Sequence, residues 1–156
     1  MKRLPLLAIA LGVGGLVPFL ACAVGILLFS GQVPAPRLVL AMIDYGAVIL
    51  SFLGAVHWGL ALAGDPLGTP IAAGAVTHRL TLSVLPALVG WAALLIPLVA
   101  SPVLALAVLL LGFLLTTLVE ARASRVGLIP PGYMALRWLL TAVVMLCLAA
   151  AILARL

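Results

Sequence analysis

The stretch LTLSVLPALVGWAALLIPLVASPVLALAVLLLGFLLTTLVE, residues 80–120, decides the fold, and its one charged residue is the last, Glu120. A helix crosses the hydrocarbon layer of a bilayer with about 20 mostly apolar residues, so this stretch is long enough to cross twice. Leu80 to Val99 makes one crossing and Pro102 to Val119 the next. Little more than Ala100-Ser101 lies between them, which makes the two helices antiparallel neighbours in a tight hairpin.

The same pattern continues on both sides. Leu4 to Phe29 and Leu38 to Ala63 precede the hairpin, and Met134 to Ala154 follows it. The breaks are Ser30 to Pro36, Gly64 to Pro70, and Glu120 to Tyr133 with its Pro130-Pro131 pair. The expected fold class is all-α: a polytopic membrane helix bundle, one transmembrane domain over residues 1–156, with five helices near 4–29, 38–63, 80–99, 102–120 and 134–154. The start of the third helix is open. Thr69-Pro70 has the form of an N-cap followed by proline at the first helical position, and a helix begun there would carry His78 and Arg79 inside it. The reading favoured here is an interfacial segment ahead of Leu80.

Composition supports the same class. Apolar residues make up 67% of the chain and charged ones 7%, whereas a soluble domain carries roughly 25% charged residues to wet its surface. The net charge of +5 comes from Lys2, Arg3, Arg37, Arg79, Arg122, Arg125, Arg137 and Arg155, spaced singly or in pairs between apolar runs. That distribution is a topology signal and not a nucleic-acid footprint, so no nucleic-acid partner is expected. With the N-terminus inside, six of these eight are cytoplasmic and only Arg37 and Arg155 lie outside; the positive-inside rule therefore predicts N-in/C-out. Lys2-Arg3 and Ala21-Cys22-Ala23 imitate the ends of a signal peptide, but the apolar run continues through Phe29, as an uncleaved helix does. Cys22 and Cys147 both fall in apolar runs and read as small apolar filler.

Helices in lipid associate through close backbone approach and polar contacts. The second helix carries Ala47, Ser51, Ala55 and Gly59 at four-residue spacing. This ridge is the expected packing face, with Gly12, Gly14 and Gly15 of the first helix as a facing surface. Pro18, Pro86 and Pro97 are expected to bend their helices. Trp91 reads as a residue packed against a neighbour, while Trp58, Trp138, Tyr45 and Tyr133 fit interfacial anchoring.

Ionisable groups within a membrane are costly and mark sites by default. By topology, His57 at the inner end of the second helix is level with Arg79, Glu120 and Arg137. A candidate inner-leaflet cluster of His57, Arg79, Glu120 and Arg137, joined by Ser83 and Tyr133, follows. Three readings of it stand: an ion-pair clasp between helices, a binding site for an anionic lipid head or small anion, or acid–base chemistry at His57. A second candidate site, at the outer face, is Asp44 with Arg37, two turns apart on one helix. The catalytic residues, if any, are unknown. Two histidines, His57 and His78, are too little to argue haem. No metal site and no cofactor is expected, and no nucleotide, zinc-protease or serine-hydrolase motif occurs.

One resemblance covers nearly the whole chain. Tyr45 to Gly59 (YGAVILSFLGAVHWG) is its most specific block. Leu11-Gly12, Gly15 to Phe19, Arg79-Leu80, Ser83 to Pro86, Trp91, Tyr133, Leu136-Arg137 and Leu140-Thr141 extend it. With these residues the chain resembles the domain-of-unknown-function family 3429. The resemblance implies a small multi-pass protein of the bacterial inner membrane or its mitochondrial descendant. It carries no activity, but makes His57, Trp58, Arg79 and Arg137 the residues to test first. The family often has aspartate where Glu120 stands, a departure that preserves the charge.

Three functions follow as expectations. The favoured one is a non-enzymatic accessory or assembly factor of a membrane complex, with other membrane subunits or anionic lipid as partners beside the bilayer. The alternatives are a small-solute or ion transporter acting as an oligomer, and a lipid-binding or lipid-modifying intramembrane enzyme.

Overall fold

The computed structural model describes residues 6–62, 73–125 and 131–156. Six helices follow one another: α1 (Leu6–Gly14), α2 (Val17–Leu28), α3 (Pro34–Leu62), α4 (Ala73–Val99), α5 (Pro102–Arg125) and α6 (Pro131–Leu153). The first two together make one crossing, Leu6–Leu28, so the bundle has five legs. Among the described residues four stretches are long and apolar enough to cross a membrane: Leu6–Leu28, Pro34–Val56, Pro102–Arg122 and Tyr133–Leu153. The fifth leg has a shorter apolar part, Ser83–Val99, within the continuous helix α4.

Several boundaries differ from the sequence reading: α3 starts at Pro34 and not at Leu38, α5 runs on to Arg125, and α6 starts at Pro131; two further differences bear on the bundle. The first crossing is broken at Gly15-Leu16, just before Pro18, which lacks the N–H that would bond the carbonyl of Gly14. The Tyr45 hydroxyl of α3 donates to the Gly15 carbonyl at 3.0 Å, so a carbonyl at the break is bonded by a neighbouring helix. The third leg begins at Ala73, not at Leu80, and carries His78 and Arg79 within a helix of 27 residues. Its extra turns cost little, because Ala73 to Thr77 is a run without proline or charge. The Thr69-Pro70 start lies outside the described residues.

Turn chemistry accounts for two joints. Between α2 and α3, Gly31 takes a φ of 82°, a left-handed conformation that a side chain would strain. Between α4 and α5, Ser101 caps the next helix: its Oγ accepts from Val103 N at 3.2 Å, with Pro102 at the first helical position.

The legs close into a ring in which α2 packs on α3, α3 on α4, α4 on α5, α5 on α6 and α6 on α2, while α3 and α5 also meet across the middle. Phe19 of α2 fills the centre. Its ring stands edge-on to Tyr45 at 5.2 Å and to Phe113 at 5.9 Å between centroids. Ile26, Met42, Leu50, Leu106, Leu109 and Leu148 complete the buried layer. Cys22 and Cys147 are buried in this core as free thiols. Outside, every leg shows large apolar side chains, among them Val24, Phe52, Leu88, Leu115 and Leu146. Trp91 belongs to this outer surface at 60% exposed. The expected packing partner for Trp91 is replaced by an outward, lipid-facing position.

The α3–α4 seam is the closest. Ala47 is buried there, and a Cβ added at Gly90 would stand 2.8 Å from its carbonyl oxygen. A Cβ added at Gly54 would overlap the Ser83 carbonyl oxygen. Of the other ridge residues, Ser51 is half-buried and its hydroxyl donates to the Ala47 carbonyl at 2.8 Å. Ala55 and Gly59 are exposed, and among the described residues nothing stands within 4 Å of a Cβ built at Gly59.

Candidate functional site

Charges are rare in this chain, and two of them are buried against each other. Glu120 of α5 is 1% exposed and Arg137 of α6 is 5% exposed. Arg137 Nε donates to Glu120 Oε2 at 2.5 Å. One turn further along α6, Thr141 accepts from the Arg137 Nη1 group at 3.2 Å. Its hydroxyl also meets that of Thr117, on α5, at 2.9 Å. The local sequence sets this up. Tyr133, Arg137 and Thr141 follow one another at four-residue spacing, and Thr117 stands three residues before Glu120, so each set shares a helix face. Antiparallel packing of α5 on α6 brings the two faces together.

Taking two ions out of water costs several kcal/mol each, and only good geometry with further hydrogen bonds offsets it. Here the guanidinium bonds a carboxylate and a hydroxyl that is itself bonded, a charge-assisted network. Tyr133 is half-buried and within electrostatic reach of both Glu120 and Arg137. Thr116, also buried, turns away from this network and donates to the Gly112 carbonyl at 2.8 Å.

The predicted inner cluster is therefore placed as follows. Glu120 and Arg137 meet directly, and Tyr133 is within electrostatic reach of both. Ser83 is buried on α4, its carbonyl at the α3 contact near Gly54. His57 lies one turn beyond Gly54 on α3, and Arg79 one turn before Ser83 on α4, so their backbones share one level. The side chains of His57 and Arg79 lie outside the described residues. Asp44 and Arg37 are both exposed, and among the described residues no ion pair joins them. Thr117 was not singled out from the sequence, and Thr141 only as part of the resemblance and not of the cluster. Their signal was their spacing, three residues from Glu120 and four from Arg137. Among the described residues no group of His, Cys, Asp and Glu could hold a metal ion.

The geometry defines a multi-pass membrane helix bundle whose last two legs are clasped by a buried ion pair. The chain belongs to the family described as "Protein of unknown function (DUF3429)", whose model matches residues 4–153. It is similar to "Transmembrane protein 69" of Xenopus tropicalis, 38% identical over 95 residues. That match covers 61% of this chain and 35% of the frog protein, so the chain corresponds to about a third of its relative's length. No solved structure matches.

Proposed function

We propose that the protein is a non-enzymatic accessory or assembly subunit of a larger complex in the bacterial inner membrane, inserted N-in/C-out. The carrying observation is the inner end of the small-residue ridge on α3. Ala47 is spent on α4, but Ala55 and Gly59 stand exposed, and among the described residues nothing lies within 4 Å of a Cβ built at Gly59. Exposed Phe52 and Trp58 flank them. In lipid, small residues at four-residue spacing let another helix approach closely. The occupant inferred here is a transmembrane helix of a larger subunit. The buried ion pair supports the same reading, because its charged groups are engaged in joining α5 to α6.

Affinity purification of the tagged full-length chain from mild detergent tests this. A stoichiometric larger membrane protein is expected to co-purify. Gly59→Leu should remove it while leaving the chain's own elution and thermal midpoint unchanged, since the added side chain meets none of the described residues. A chain that elutes with lipid alone, or a partner indifferent to Gly59→Leu, would refute the proposal.

A further inference from the structure

Between α4 and α5, on the outer wall of the bundle, runs a cavity of about 340 Å³ lined by Leu85, Pro86, Val89, Gly112, Leu115, Thr116 and Val119. Its lining is apolar save for Thr116, whose hydroxyl is already spent on the Gly112 carbonyl. Leu85 and Leu115 form its two lips, 49% and 60% exposed, so it opens sideways into the surrounding lipid and not along the bundle axis. Gly112 forms part of the floor, where a Cβ would stand 2.8 Å from a Leu50 methyl group and 3.0 Å from Val89.

One end of this groove is marked by charge. Leu115, Val119 and Arg122 follow at four- and three-residue spacing, so they share a face of α5. Arg122 is exposed and ends the crossing Pro102–Arg122. From Arg122 to Gly112 is about 15 Å along a helix, which matches the hydrocarbon depth of one leaflet, half of about 30 Å. A cation at headgroup height with a one-leaflet apolar trough beneath it has the dimensions of a single phospholipid.

We propose that the α4–α5 groove binds an anionic phospholipid, one acyl chain lying along Gly112 to Val119 and the phosphate on the Arg122 guanidinium. The trough accounts for the chain, and the cation accounts for the preference among headgroups. A second protein helix would need a longer face of small residues than this groove offers. This site is separate from the exposed ridge of α3 and does not depend on what covers that ridge.

The test is native mass spectrometry of the delipidated full-length protein in non-ionic detergent. It is titrated with dioleoyl phosphatidylglycerol, dioleoyl phosphatidylcholine or inorganic phosphate. Phosphatidylglycerol should bind about fivefold more tightly than phosphatidylcholine, the effect of one basic residue near an anionic lipid. Arg122→Gln should abolish that preference, weakening phosphatidylglycerol more than phosphatidylcholine, whose phosphate is already offset by its own choline cation. Leu85→Trp should block the trough and weaken both lipids several-fold; Leu115→Trp does the same from the opposite lip should the first variant fail to fold. Retention of the preference in Arg122→Gln would overturn the proposal, as would unchanged binding in both tryptophan variants. Full competition by inorganic phosphate would reduce the site to an ion site without a chain. A two-copy species disrupted by Leu85→Trp would assign the groove to a second copy of this chain instead.

Discussion

The α3–α4 and α5–α6 seams hold helices together by different physics. At α3–α4 the backbones themselves meet: Gly54 lies against the Ser83 carbonyl and Gly90 against Ala47. At α5–α6 side chains reach across, and the contact is made by Glu120, Arg137, Thr117 and Thr141. In water both seams would gain from expelling solvent. In lipid that gain is absent, so one seam depends on shape and the other on satisfied charge. The first is sensitive to a single added carbon and the second to a single removed charge.

The largest effect is expected from breaking the charged seam on one side. Glu120→Leu leaves a buried arginine that cannot give up its charge and should cost about 3 to 5 kcal/mol, read by unfolding in a detergent–dodecyl sulfate titration. Arg137→Leu should cost less, because a stranded carboxylate can take up a proton and become neutral. Removing both together should restore much of the loss, since an apolar pair of similar volume often replaces a buried ion pair without penalty. If the double variant is no better than Glu120→Leu, the seam is not a clasp but a site needed for folding in some other way. Arg155→Ala, at an exposed position, should leave the midpoint unmoved.

Next in size is Gly54→Val, which forces α3 and α4 apart. Overpacking of this kind costs about 1 to 3 kcal/mol. The loss should appear in the same titration without restoring partner when Ser83 is made smaller, because the clash is with backbone. Tolerance of valine there would place the two helices further apart than described. The smallest effect separates the two seams within the charged one: Thr117→Val should cost about 0.6 kcal/mol, the mean for an interhelical hydrogen bond in a membrane. A cost as large as that of Glu120→Leu would make the threonine pair, and not the ion pair, the main tie.

The charged seam was largely legible in the sequence and the shape-based seam was not. A carboxylate and an arginine on adjacent helices at one membrane level have few ways to be satisfied, so Glu120 and Arg137 identify each other. Small residues carry no such instruction. The ridge Ala47, Ser51, Ala55, Gly59 steps by four residues, and each step turns about 40° further round a helix of 3.6 residues per turn. Three steps carry it off the α4 face, which is why Ala47 is buried and Gly59 is not. Ala47 and Gly54 are seven apart, a drift of only about 20°, and that pair makes the contact with α4. The five crossings and the hairpin at Ala100-Ser101 follow from hydropathy and length. The start of α4 did not, because Ala73 to Arg79 suits either a helix or an interface. Trp91 was misplaced for a related reason: depth can be read from sequence position, but rotation depends on which neighbours the helix has.

The break at Gly15-Leu16 bears on how the polypeptide enters the bilayer. A carbonyl left unbonded in hydrocarbon costs several kcal/mol, and here the donor that relieves it, Tyr45, belongs to the following crossing. The first segment is therefore incomplete until its successor arrives. Thermodynamics favours joint partitioning of the two as a helical hairpin over stepwise release from the insertion machinery, and makes the short reverse turn around Gly31 a feature of biogenesis as well as of the finished fold.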